Sequence, residues 1–148
     1  MQIRQFQAQR MQAPRDFTPI ENTPICVEIG AGKGKHALLF SGQQPQHTLY
    51  AIERTREKFL AMQKQHGLEP RDNLIPVHAD ALPWVVHALH PAQVEHFFIL
   101  YPNPEPHNPA QRWLNMPFLS SYCHAYTRVE PLLWQVIFLN ILKKLNNN

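Results

Sequence analysis

Glycine is scarce in this chain of 148 residues, and all of it comes early: the five glycines lie at or before Gly67, so the last 81 residues have none. That second half must turn without the residue that enters left-handed backbone at no steric cost. Cysteine is nearly absent too. Cys26 and Cys123 are the only two, which excludes a disulfide framework and offers no zinc-type spacing, so both read as small buried apolar residues. No apolar run reaches the roughly 18 residues of a membrane span, and no signal peptide is recognised ahead of residue 25. A cytoplasmic location is the expectation. Charge of either sign is modest: the formal net charge is +3, with a pI near 9.0, only a mild hint of nucleic acid. The length fits one domain with a real core.

What is present begins at residue 25. The apolar run Ile25-Cys26-Val27 leads into Glu28-Ile29-Gly30-Ala31-Gly32-Lys33-Gly34. A strand running into three alternate glycines lets the backbone turn sharply and approach a ligand, with a helix N-terminus opening just beyond. The dinucleotide fingerprint G-x-G-x-x-G is not met, because Lys35 stands where its third glycine would be. The acidic-x-G-x-G-x-G pattern resembles that of S-adenosylmethionine-dependent methyltransferases. A carboxylate at Glu28 suits a ligand with an ammonium and a sulfonium and would repel a pyrophosphate. Three glycines alone would also fit a tight turn with no ligand.

Two further acids extend the pattern. Leu49-Tyr50-Ala51-Ile52 reads as a second buried strand ending in Glu53, and Leu74 to Ala79 as a third ending in Asp80. All three acids then fall at carboxyl ends of parallel strands, where open α/β sheets bind ligands, and Glu53 is placed to hold ribose hydroxyls. Between the strands, the pattern predicts a helix over Thr55 to Gln65, with Thr55 as N-cap, Phe59, Leu60 and Met62 inward, and Gly67 past its end. Ala81 to His90 reads as a short helix stopped by Pro91, and Phe97-Phe98-Ile99-Leu100 as strand four. The alternation argues for βαβ units and a parallel sheet with helices on both faces, a Rossmann-like α/β fold. Residues 1–24, rich in Gln, Arg and Pro, read as an extension anchored at most by Phe6 and Phe17, leaving 25–148 as the domain.

After strand four comes Tyr101-Pro102-Asn103-Pro104-Glu105-Pro106, then Gln111-Arg112-Trp113 and Met116-Pro117-Phe118. With the glycine loop, Glu53 and Asp80, these segments resemble the bacterial tRNA (guanine-N7-)-methyltransferase family over about Ile25 to Phe118. The resemblance implies S-adenosyl-L-methionine as cofactor and tRNA as partner. It implies cofactor contacts at Glu28, Gly30, Gly32, Gly34, Glu53, Arg54, Asp80, Ala81 and Asn103, a catalytic position at Asn103, and substrate binding at Arg112. It also implies strand order 3-2-1-4-5.

Three departures stand out. The family has Asp where this chain has Asn103 and Trp where it has Glu105, and its basic run is reduced here to His107-Asn108-Pro109-Ala110-Gln111-Arg112. Beyond about Ser120 the match fades: Val129-Glu130-Pro131-Leu132-Leu133 replaces a glycine turn, Trp134 to Leu139 reads as strand five, and the terminal hairpin is missing, so truncation or a shifted frame is the expectation. Two other readings stay open. Asn103-Pro104 partly matches the turn of amino-group methyltransferases, which act on another nitrogen of RNA or a small molecule; a cofactor-binding remnant without activity is the other. His78, His87, His90 and His96 carry no metal spacing, so no metal is expected. His36 lies next to the glycine loop. Trp84, Trp113 and Trp134 read as core.

Overall fold

The structure is a computed structural model, which describes residues 7–99. Among these described residues four strands, β1 (Ile25–Ile29), β2 (Leu49–Glu53), β3 (Leu74–His78) and β4 (Val94–Phe98), alternate with three α-helices, α1 (Lys35–Gln43), α2 (Arg56–Leu68) and α3 (Ala81–Ala88). The sheet is wholly parallel with order β3-β2-β1-β4. This is the expected Rossmann-like α/β arrangement, and β1 lies inside it as the resemblance implied; strand five falls outside the described residues.

Every residue of β1 is buried, because apolar layers cover both faces of a parallel sheet. Ile25, Val27 and Ile29 face the layer built by α3, with Trp84, Val85, Val94 and Phe97. Cys26 faces the other layer, with Ala37, Leu49, Ala51, Met62 and Leu74. Helix α3 follows from its spacing: Ala81, Trp84, Val85 and Ala88 are its buried residues, an i, i+3, i+4, i+7 stripe. Pro83 is tolerated because it sits in the first turn, where backbone N–H groups have no intrahelical partner. Trp84 is core, 4% exposed, as expected.

The N-terminal segment lies against this same layer. Phe17 and Ile20 pack on the core, and the Phe17 ring meets the His87 ring edge-on with centroids 6.1 Å apart. His87 and His90 bond the backbone carbonyls of Met11 and Ile20, and the Gln93 amide donates to those of Glu21 and Thr23. These two histidines are structural, and Phe17 anchors the extension; Phe6 lies outside the described residues.

Several boundaries differ from the sequence expectation. Helix α2 runs through Gly67 to Leu68; its stop is Pro70, which disfavours helical backbone at Glu69 before it. Leu60 is 47% exposed, since the inward stripe of α2 runs through Phe59, Met62 and His66 and passes it by. Helix α3 ends at Ala88, two residues before His90. Strand β3 ends at His78, so Asp80 is the N-cap of α3 and not a strand end. Strand β4 starts at Val94, three residues before Phe97, and stops at Phe98.

Candidate functional site: a glycine loop between two buried carboxylates

Between β1 and α1 the backbone takes left-handed values at Gly30 (φ +70), Gly32 (φ +62) and Gly34 (φ +85). A side chain in that region is strained, which is why glycine recurs at every second residue. The three do different jobs. A Cβ on Gly30 or Gly32 would meet nothing within 4 Å, so the loop leaves open space above it. A Cβ on Gly34 would stand 2.5 Å from Met62 Cγ, so this glycine lets α1 start against α2.

The loop amides point inward. Gly30 and Ala31 both donate to the Ile52 carbonyl, at 2.9 and 3.0 Å, and Gly34 donates to Ala31 at 3.1 Å. Gly32 N–H donates to Glu53 Oε2 at 2.7 Å. A phosphate cradle needs such amides aimed at the ligand. Here Gly30, Ala31 and Gly32 spend theirs on the end of β2 and Gly34 turns its own back on Ala31, which agrees with the missing third glycine of the dinucleotide pattern.

Glu53 is 7% exposed, and its other oxygen, Oε1, accepts from Thr55 N–H at 2.8 Å. One carboxylate thus pins the glycine loop and caps the start of α2. Thr55 is the N-cap as expected, yet its hydroxyl makes no capping bond; Glu53 holds the N–H of Thr55 itself. Each carboxylate oxygen keeps further lone-pair capacity for a ligand hydroxyl. Glu28 is 3% exposed and accepts from His36 Nδ1 at 3.1 Å, which puts the ring proton on that nitrogen. The His36 ring lies edge-on to Phe98 with centroids 4.9 Å apart. His36, next to the glycine loop in the sequence, is the partner of Glu28 in the structure.

The remaining predicted residues are placed less tightly. Asp80 is exposed, and its Oδ1 accepts from Leu82 N–H at 3.3 Å, leaving the second oxygen open. Ala81 is packed in the core at 6% exposure, so only its backbone could face a ligand. Arg54 is exposed, and its carbonyl accepts from His78 Nε2 at 3.1 Å. Asn103 and Arg112 lie outside the described residues. A groove of about 640 Å³ between α1 and α2 is lined by Lys33, Lys35, Gln65 and Arg71 among others, and none of the three acids borders it. No helix among the described residues is long and apolar enough to cross a membrane.

The model of a family described as "Putative methyltransferase" matches residues 22–127, more than half of the chain. The chain belongs to this methyltransferase family. The matched span begins just before β1 and takes in the glycine loop and all three acids. No curated protein matches the chain by sequence. Among solved structures, the chain is similar to phosphoethanolamine N-methyltransferase 2 of Haemonchus contortus in complex with S-adenosyl-L-methionine, at 14% identity and a TM-score of 0.41. That likeness covers 55% of this chain and 19% of the other, so the chain spans about a fifth of that protein.

Proposed function

We propose that this methyltransferase uses S-adenosyl-L-methionine and transfers its methyl group to guanine N7 in tRNA. The observation that carries the cofactor is the pairing of two buried carboxylates with a glycine loop whose Gly30, Ala31, Gly32 and Gly34 amides already have partners in the protein. Such a site favours a cationic ligand with hydroxyls over a phosphate. The residues present fit the cofactor, because Gly30 and Gly32 leave open space where any other residue would place a Cβ. Glu28 would hold the ammonium end, the free lone pairs of Glu53 the ribose hydroxyls, and Asp80 the adenine amino group. When bound, S-adenosyl-L-methionine supplies an electrophilic methyl on a sulfonium.

The substrate reading rests on the motifs after strand four, from Tyr101 to Phe118. Guanine N7 presents an in-plane lone pair, so the chain needs no general base and contributes alignment. Asn103 can position the acceptor but cannot neutralise the cationic product ring, a contribution that a carboxylate makes to the transition state. Arg112 would contact a tRNA phosphate, the type of contact that supplies much of nucleic-acid affinity. Incubation with bulk tRNA and methyl-labelled cofactor, followed by nucleoside analysis, tests the reading, and labelled 7-methylguanosine is expected. Label on an amino nitrogen would move the chain to the amino-group alternative. Cofactor binding with no labelled RNA would make it a binding remnant.

A further inference from the structure

The opposite end of the sheet holds a cluster that the methyl-transfer reading does not use. Between Ile25 and Cys26 the pairing of β1 with β4 slips by one residue: Ile25 pairs with Val94, and Cys26 with His96. Glu95 is the extra residue, so Glu95 and His96 together stand against Cys26. Bulges are rare in parallel pairs, and they re-aim side chains. His47, in the turn before β2, completes the group. Donor atoms of Cys26, His47 and Glu95 all lie within 4.8 Å of one another. His47 Nδ1 and Glu95 Oε2 share a proton at 2.9 Å, and the His96 ring centroid is 6.0 Å from that of His47. The turn that carries His47 is held in place: the Asn73 amide donates to the carbonyls of Ser41, Gln44 and His47 at 2.9, 3.2 and 2.9 Å.

We propose that Cys26, His47 and Glu95 bind one zinc-type divalent cation, which clips β1, the turn before β2 and β4 together at the amino ends of the strands. The reading goes beyond methyl transfer and is independent of it, because the glycine loop sits at the carboxyl ends. Donor chemistry selects the ion. A thiolate with an imidazole and a carboxylate is a borderline-soft set that suits zinc and excludes magnesium or calcium. A thiolate, a carboxylate and a divalent ion sum to zero charge, the form least costly to bury beside a fully buried Cys26. Tetrahedral bonds of about 2.0–2.3 Å set donors roughly 3.3–3.7 Å apart, so closure widens the His47 to Glu95 contact slightly and draws the sulfur in by no more than about 1 Å. The ion takes the place of the proton shared by His47 Nδ1 and Glu95 Oε2, which moves to His47 Nε2, and the thiol proton is released to solvent. Its fourth position, beside His96, is left for water or that ring. A nucleophilic role for the same cysteine is disfavoured, because Cys26 is 0% exposed.

The test is metal titration of the full, tag-free chain after chelator treatment, with cobalt as the probe and zinc as its competitor. One cobalt per chain is expected, with a thiolate-to-metal charge-transfer band that scattered histidines cannot produce, and zinc should erase the band and raise the thermal midpoint. Loss of a second-shell partner weakens metal affinity by about 10–100-fold. His47→Ala and Glu95→Gln, at half-buried positions, remove direct ligands and should each weaken cobalt binding by more than about a hundredfold. Cys26→Ser should abolish the band. If that variant does not fold, the other two decide. A parent chain that gives no thiolate band at stoichiometric cobalt would overturn the proposal. So would a band that survives Cys26→Ser, or an affinity unchanged in His47→Ala or Glu95→Gln.

Discussion

Replacing Glu53 with alanine tests whether this carboxylate builds the site as well as binds at it. The substitution removes two acceptors at once, from Gly32 N–H at 2.7 Å and Thr55 N–H at 2.8 Å, in a residue 7% exposed. A hydrogen bond to a charged group contributes about 1.5–3 kcal/mol net, and the amides left behind lose their partner. Water entering the vacated space recovers part of this, so the expected cost is about 3–5 kcal/mol of folding stability. Glu53→Gln keeps one acceptor oxygen and turns an amide NH₂ toward the other donor, for an expected cost of about 2–3 kcal/mol. Asp80→Ala is the control: one exposed capping bond at 3.3 Å, where the loss of a cap costs about 0.5–2 kcal/mol and this long bond belongs at the low end. Urea unfolding gives the three values, and hydrogen exchange at Gly32 and Thr55 should quicken in the Glu53 variants alone. The reasoning fails if Glu53→Ala lies within about 0.5 kcal/mol of the parent, the range of a neutral surface change, or if Asp80→Ala costs more.

Gly34→Ala should destabilise by about 2–4 kcal/mol, from positive φ and the 2.5 Å approach to Met62 Cγ. Gly67→Ala, inside α2 with nothing within 4 Å, should stabilise by about 0.5–1 kcal/mol; thermal midpoints moving in the same direction would contradict the pair. Burial, followed by the charge of Glu95, pushes the Cys26 thiol from 9.0 up to about 12. In the metal-free chain the folded state therefore keeps a proton that the unfolded chain gives up, so this stabilisation is complete below about pH 9 and is lost as pH climbs toward 12. Urea midpoints of the parent and Cys26→Ala should converge over that window, and a constant gap would refute the assignment. Asn103→Asp should raise 7-methylguanosine formation on tRNA with cofactor affinity nearly unchanged, because a carboxylate stabilises the cationic product ring. Unchanged or lower N7 product, measured by nucleoside analysis, would count against Asn103 at the catalytic position.

The alternation of strand and helix, the glycine loop and its acids were legible in the residues themselves, because periodicity and positive-φ glycine are local properties. Trp84 is core and Gly30, Gly32 and Gly34 are left-handed, where the pattern puts them. Element ends were less legible: Pro70 ends α2 rather than Gly67, and Asp80 caps a helix rather than ending a strand. What each polar group touches was decided by tertiary structure alone. Glu53 turns toward an amide 21 residues away, and His47 meets Glu95 across 48 residues. Hydrophobic spacing says which face of a strand is buried, but the register of β1 on β4 is a long-range match between packed layers. One slipped residue there sets Glu95 and His96 against Cys26, and no spacing in the chain announces it.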